Sequence, residues 1–180
     1  MTPLLLLTAL ACVDDSATPG DAIADTADTA DTTTDSGVDT GNGGGGGAVD
    51  LASGTWVSEG DDISALLAYF EVVRVEATFR GDGGYTVVST DAEGAATTFT
   101  GDYAADRTTA PRAIVLTQTT PSAATAEGIW QIADATLSYE VVQTSPAVGC
   151  SPPTPAGGFG STRCSPPLNR NANVQTFRLR

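Results

Sequence analysis

From Leu51 onward, apolar and polar residues alternate in short runs separated by turn formers, the pattern of an antiparallel sheet with one buried face. Val73, Val75, Ala77 and Phe79 interleave with Arg74, Glu76, Thr78 and Arg80, which points the first four residues inward. Gly81-Asp82-Gly83-Gly84 supplies the positive φ that a tight hairpin needs, and Tyr85 to Thr90 returns from it. Asp91 to Gly94 turns the chain again into Ala96 to Tyr103. Further alternating segments run over Arg112 to Thr119, Gly128 to Ile132, Thr136 to Gln143 and Val174 to Arg180, with Gly54 to Ser58 at the front.

Eight strands joined mostly by local connections predict an all-β fold, an eight-stranded antiparallel up-and-down barrel whose closure removes exposed strand edges. One helical stretch interrupts them. Asp61 or Asp62 is placed to cap a short helix in which Ile63, Leu66, Leu67 and Phe70 share a face, forming a lid on one barrel end. Residues 144 to 173 show no alternation and read as a long insertion before the last strand.

The segment before the barrel has a different texture. Between Val13 and Val49 there is no aromatic residue, an imperfect Ala-Asp-Thr repeat, and a run of glycines from Gly43 to Gly47. So little apolar surface, with repelling charges of one sign, cannot offset the entropy of ordering, so a disordered tether is expected. Ahead of it, the apolar run Leu4 to Ala11 is too short to span a bilayer but has the length of a signal-peptide core, and Ala11 precedes Cys12. This resembles a bacterial lipobox. The resemblance implies a signal peptide over 1–11, acylation of Cys12, a linker over 12–49 and a barrel domain over 50–180. It also implies a place in the cell envelope, with Val13 after the Cys favouring the outer membrane. If Cys12 is lipidated, the remaining Cys150 and Cys164 are left to pair, in a compartment that permits a disulfide.

Charge narrows the partners. The net charge is −14; no Lys or Arg lies before residue 51, where nine Asp do, and the eight Arg that follow are scattered. Nucleic acid is therefore not expected as a partner, because no cationic cluster exists to displace phosphate counterions. A bare anionic lipid surface is equally unsuited, so membrane attachment falls to the lipid anchor. The acids of the tether lack the compact spacing of a calcium loop, so no metal site is expected. With no His and no unassigned thiol, neither catalysis nor a cofactor is expected. Arg80-Gly81-Asp82 spells an adhesion tripeptide, but the turn itself explains its Gly and Asp.

Gly54-Thr55-Trp56, Asp82-Gly83-Gly84-Tyr85, Thr100-Gly101-Asp102-Tyr103 and Glu127-Gly128-Ile129-Trp130 with Thr136-Leu137 resemble the bacterial lipocalin-like domains of the calycin superfamily. The resemblance covers about Ser53 to Tyr139. It implies that Trp56 plugs one barrel end with Arg178 or Arg180 packed across it. It also implies a small apolar ligand in a cavity lined by Phe79, Tyr85, Phe99, Tyr103, Tyr139 and Phe177. Two other readings stand beside ligand binding: a protein-interaction or inhibitor module that uses the Cys150–Cys164 loop on a filled barrel, and a structural envelope lipoprotein.

Overall fold

The computed structural model describes residues 49–170 and 172–180. The expectations for the leader, Cys12 and the tether up to residue 48 lie outside the described residues. Within them, eight strands close a barrel: β1 (Thr55–Glu59), β2 (Val72–Phe79), β3 (Gly84–Asp91), β4 (Ala96–Ala105), β5 (Arg112–Thr120), β6 (Ala124–Ala133), β7 (Thr136–Ser145) and β10 (Gln175–Leu179). All neighbours are antiparallel, and β10 closes the ring between β7 and β1. The predicted fold class holds. The 146–174 connection has structure of its own, a two-stranded piece of β8 (Cys150–Ser151) and β9 (Arg163–Cys164) and a 3-10 turn over Leu168–Arg170.

The two glycine turns are built alike. Arg80 N–H donates to Gly84 O and Gly83 N–H to Arg80 O, while Asp91 N–H donates to Ala95 O and Gly94 N–H to Asp91 O. Gly83 (φ 90) and Gly94 (φ 84) take the left-handed position that a side chain would resist. In each turn an Asp carboxylate accepts a backbone N–H, Asp82 from Gly84 and Asp91 from Ala95, which fixes the loop.

Trp56, Val75, Ala77, Phe79, Tyr85, Phe99, Ile114, Leu116, Trp130, Leu137 and Phe177 fill the interior as one cluster. Two strand glycines let the wall fold tightly around it. A Cβ on Gly101 would lie 2.0 Å from Thr117 O, and one on Gly128 2.0 Å from Glu140 O, so neighbouring backbones approach where only hydrogen fits. Val73 departs from the alternation. A bulge between Val72 and Arg74 adds a residue to β2, so Val72 takes the buried position and Val73 is 47% exposed.

The helix is present as α1 (Ala65–Tyr69), but its cap is Ser64, whose Oγ accepts the N–H of Leu67 at 3.3 Å, and not Asp61 or Asp62. Those two aspartates lie one turn earlier, in a 3-10 turn, and Ile63 returns to an extended conformation before the helix starts. Leu66 and Leu67 are buried as expected, whereas Phe70 ends the helix half-buried, edge-on to Tyr69. Gln175 ties this lid to the barrel: its Oε1 accepts Ser64 N–H at 2.7 Å and its Nε2 donates to Ser58 Oγ, which itself donates to Asp62 O.

Candidate functional site

A small apolar ligand of such a barrel would sit in its interior. Phe79, Tyr85, Phe99, Tyr139 and Phe177 do converge there, with Phe79 at 6.4 Å from both Tyr85 and Tyr139, and Tyr139 edge-on to Phe177 at 6.0 Å. The space left between them is about 10 Å³. A single water needs roughly 10–15 Å³ of such space, so the rings themselves fill this part of the interior. Tyr103, the sixth expected residue, does not line this space. It packs edge-on to Phe79 at 5.2 Å, and its hydroxyl donates outward to Arg80 O. The Tyr85 hydroxyl is buried without a hydrogen-bond partner among the described residues. Burial, with a smaller contribution from the charge of Asp102, pushes its pKa up to about 12. Tyr139 is pushed further in the same direction by burial and by Tyr85.

Trp56 is fully buried at one barrel end, and its indole N–H donates to Leu51 O at 2.7 Å. The arginines do not join it. Trp56 stands opposite Leu179 in the ladder, so the alternation of the strand sends Arg178 and Arg180 to the outer face. There Arg178 pairs with Asp62 at 3.1 Å and Arg180 with Glu59 at 2.5 Å. The cation–π contact at this end belongs instead to Arg112, opposite Trp130 in the ladder and 4.9 Å from its ring centre.

The Cys150–Cys164 disulfide is formed and closes the small β8–β9 ladder. Its loop is pinned to the outside of the barrel by a residue that the alternation of β7 assigns to solvent. Glu140 is fully buried; its Oε2 accepts Gly160 N–H at 2.6 Å and its Oε1 accepts Thr162 N–H at 3.0 Å. Ile129, directly opposite on β6, is also fully buried, and Val142 and, from the loop side, Pro153 are buried. The stapled segment therefore covers an apolar strip on the outer wall and is itself ordered by it. Thr154 organises its tip, accepting N–H bonds from Gly157 and Gly158 at 3.0 Å, and Ser161 Oγ closes onto Gly158 O. A groove of about 410 Å³ runs beside the loop, lined by Glu140, Gly160, Thr162, Arg163, Asn169 and Asn173 among others.

Sequence reasoning missed Glu140 because an acid between Tyr139 and Val141 reads as an ordinary outward position. Only the loop, distant in sequence, reverses that. The Arg80-Gly81-Asp82 tip is self-paired, with Arg80 Nε 3.3 Å from the Asp82 carboxylate. The N–H of Gly84 holds that carboxylate below its usual range. No group of metal-ligating side chains occurs among the described residues. Comparison with known protein families, with curated proteins and with solved structures gives no match.

Proposed function

We propose that the protein is a lipocalin-like lipoprotein of the bacterial envelope, anchored through Cys12, which uses a filled barrel to present the Cys150–Cys164 loop to a protein partner. The observation that carries this reading is the contrast between the two regions. The space among the aromatic rings of the barrel is about 10 Å³, while the loop is tied down by the disulfide and by both oxygens of Glu140. A binding segment ordered before it meets its partner loses less entropy on binding. Its tip also leaves Thr154, Ala156, Gly157, Gly160 and Arg163 exposed for contact. A small apolar ligand inside the barrel would require the rings of Phe79, Tyr139 and Phe177 to move apart.

The test uses the full chain produced in a Gram-negative host. Mass spectrometry should find Cys12 diacylated and no further lipid retained by the barrel under native conditions. A photo-crosslinking residue in place of Thr154 should capture one envelope protein, and the same residue in place of Thr98 on the opposite wall should not. A lipid that stays bound to the folded barrel, or crosslinks that ignore position, would overturn the reading.

A further inference from the structure

Apart from the loop, the segment from the end of α1 into β2 exposes apolar side chains. Tyr69, the last residue of α1, is 55% exposed, and Phe70 packs edge-on against it at 5.0 Å. Glu71 then takes φ 62, the left-handed position that follows the helix C-cap, here without the usual glycine. Two residues later the β2 bulge turns Val73 outward. Tyr69 and Val73 are two of only four large apolar side chains exposed among the described residues, and they lie four positions apart. Exposed apolar side chains grouped together mark contact surfaces.

The charge around this surface identifies what fits it. Glu71 lies within it, Asp91 stands opposite Val72 in the β2–β3 ladder, and Glu93 is exposed in the hairpin turn that follows. None of the three is in an ion pair among the described residues, whereas Arg74, the nearest cation in sequence, is already held by Glu59 and Glu76. A second copy would set acid against acid, and an anionic membrane would be repelled.

We propose that the Tyr69–Phe70–Val73 surface docks a protein segment that combines apolar side chains with Lys or Arg. This is independent of the stapled loop, which lies against the outer wall of β7.

A displayed random-peptide library selected on the full-length protein tests it. The selected peptides should be rich in apolar residues with Lys or Arg, and on the ¹⁵N-labelled protein they should shift the amides of residues 69–73 and 91–95 and spare those of 150–164. The double variant Tyr69→Ser, Val73→Thr should weaken binding roughly tenfold or more, as loss of a central apolar contact does. The variant Glu71→Asn, Glu93→Gln keeps the apolar groups and a residue tolerant of the left-handed position, and should weaken it several-fold. Salt near 1 M, where screening shortens to about 3 Å, should do the same to the parent protein. Selection of acidic peptides, shifts confined to another surface, affinity unchanged in the charge variant, or failure to select any peptide would each overturn the proposal. So would equal binding to neutral phosphatidylcholine vesicles.

Discussion

The carboxylate of Glu140 accepts the backbone N–H of Gly160 at 2.6 Å, joining the barrel wall to a loop 20 residues further along the chain. Because Thr162 donates to the other oxygen, removal of the carboxylate strands two backbone donors at once. Glu140→Ala should cost about 2–4 kcal/mol in urea denaturation. It should also speed amide exchange at Gly160 and Thr162 while leaving β2 to β4 protected. Glu140→Gln, which keeps one acceptor oxygen, should fall between the variant and the parent.

Opening the staple should have a different signature. The paired variant Cys150→Ser, Cys164→Ser removes a crosslink across a sequence separation of 14 and should lower stability by about 3 kcal/mol, most of it by freeing the unfolded chain. Circular dichroism should still report the barrel, since its eight strands do not include β8 or β9.

Alkaline pH should unfold the protein through its buried phenols. Tyr85 ionises near pH 10 in the unfolded chain but only at about 12 in the fold, so folding stability is complete below pH 10. Between pH 10 and 12 the unfolded state loses this proton first, and stability falls by about 2–3 kcal/mol from this residue alone. Tyr85→Phe should flatten that decline. Its hydroxyl has no partner among the described residues, so the substitution should leave stability at neutral pH unchanged or slightly higher.

Gly128 should tolerate nothing larger than hydrogen. Alanine there would place its Cβ 2.0 Å from Glu140 O and 2.6 Å from Val141 Cα, both on backbone that cannot swing aside. Gly128→Ala should therefore cost at least about 3 kcal/mol or abolish folding. Gly81→Ala, with no atom near its Cβ, should change the thermal midpoint little.

The barrel was legible because alternation, glycine turns and short connections are local signals that all point to one topology. Ser64 escaped notice as a cap because three polar residues in four, Asp61, Asp62 and Ser64, offered the same chemistry, and the backbone at Ile63 decided among them. The bulge at Val73 was invisible for a related reason: one inserted residue inverts the face of a strand without changing its composition. The aromatic lining was named almost completely, yet its packing was not. Whether such rings surround a cavity or fill it depends on rotamers and ring angles, which have no trace in spacing. Arg112, and not Arg178 or Arg180, meets a tryptophan because ladder register, which sequence does not show, sets which residues share a face.

Both ends of the domain meet at the Trp56 end of the barrel. Leu51 accepts the indole of Trp56, Arg107 pairs with Asp50, and Arg180 N–H donates to Thr55 O. The stapled loop leaves and rejoins the wall at the other end, after Ser145 and before Gln175. A pull at Val49 against anything gripping that far end would run along the axis of β1. Its ladders to β2 and β10 would then bear the load in shear, all rungs together, instead of unzipping one by one. Drawn between Val49 and that far end, the barrel should therefore resist a greater force than when one ladder is peeled open from its end.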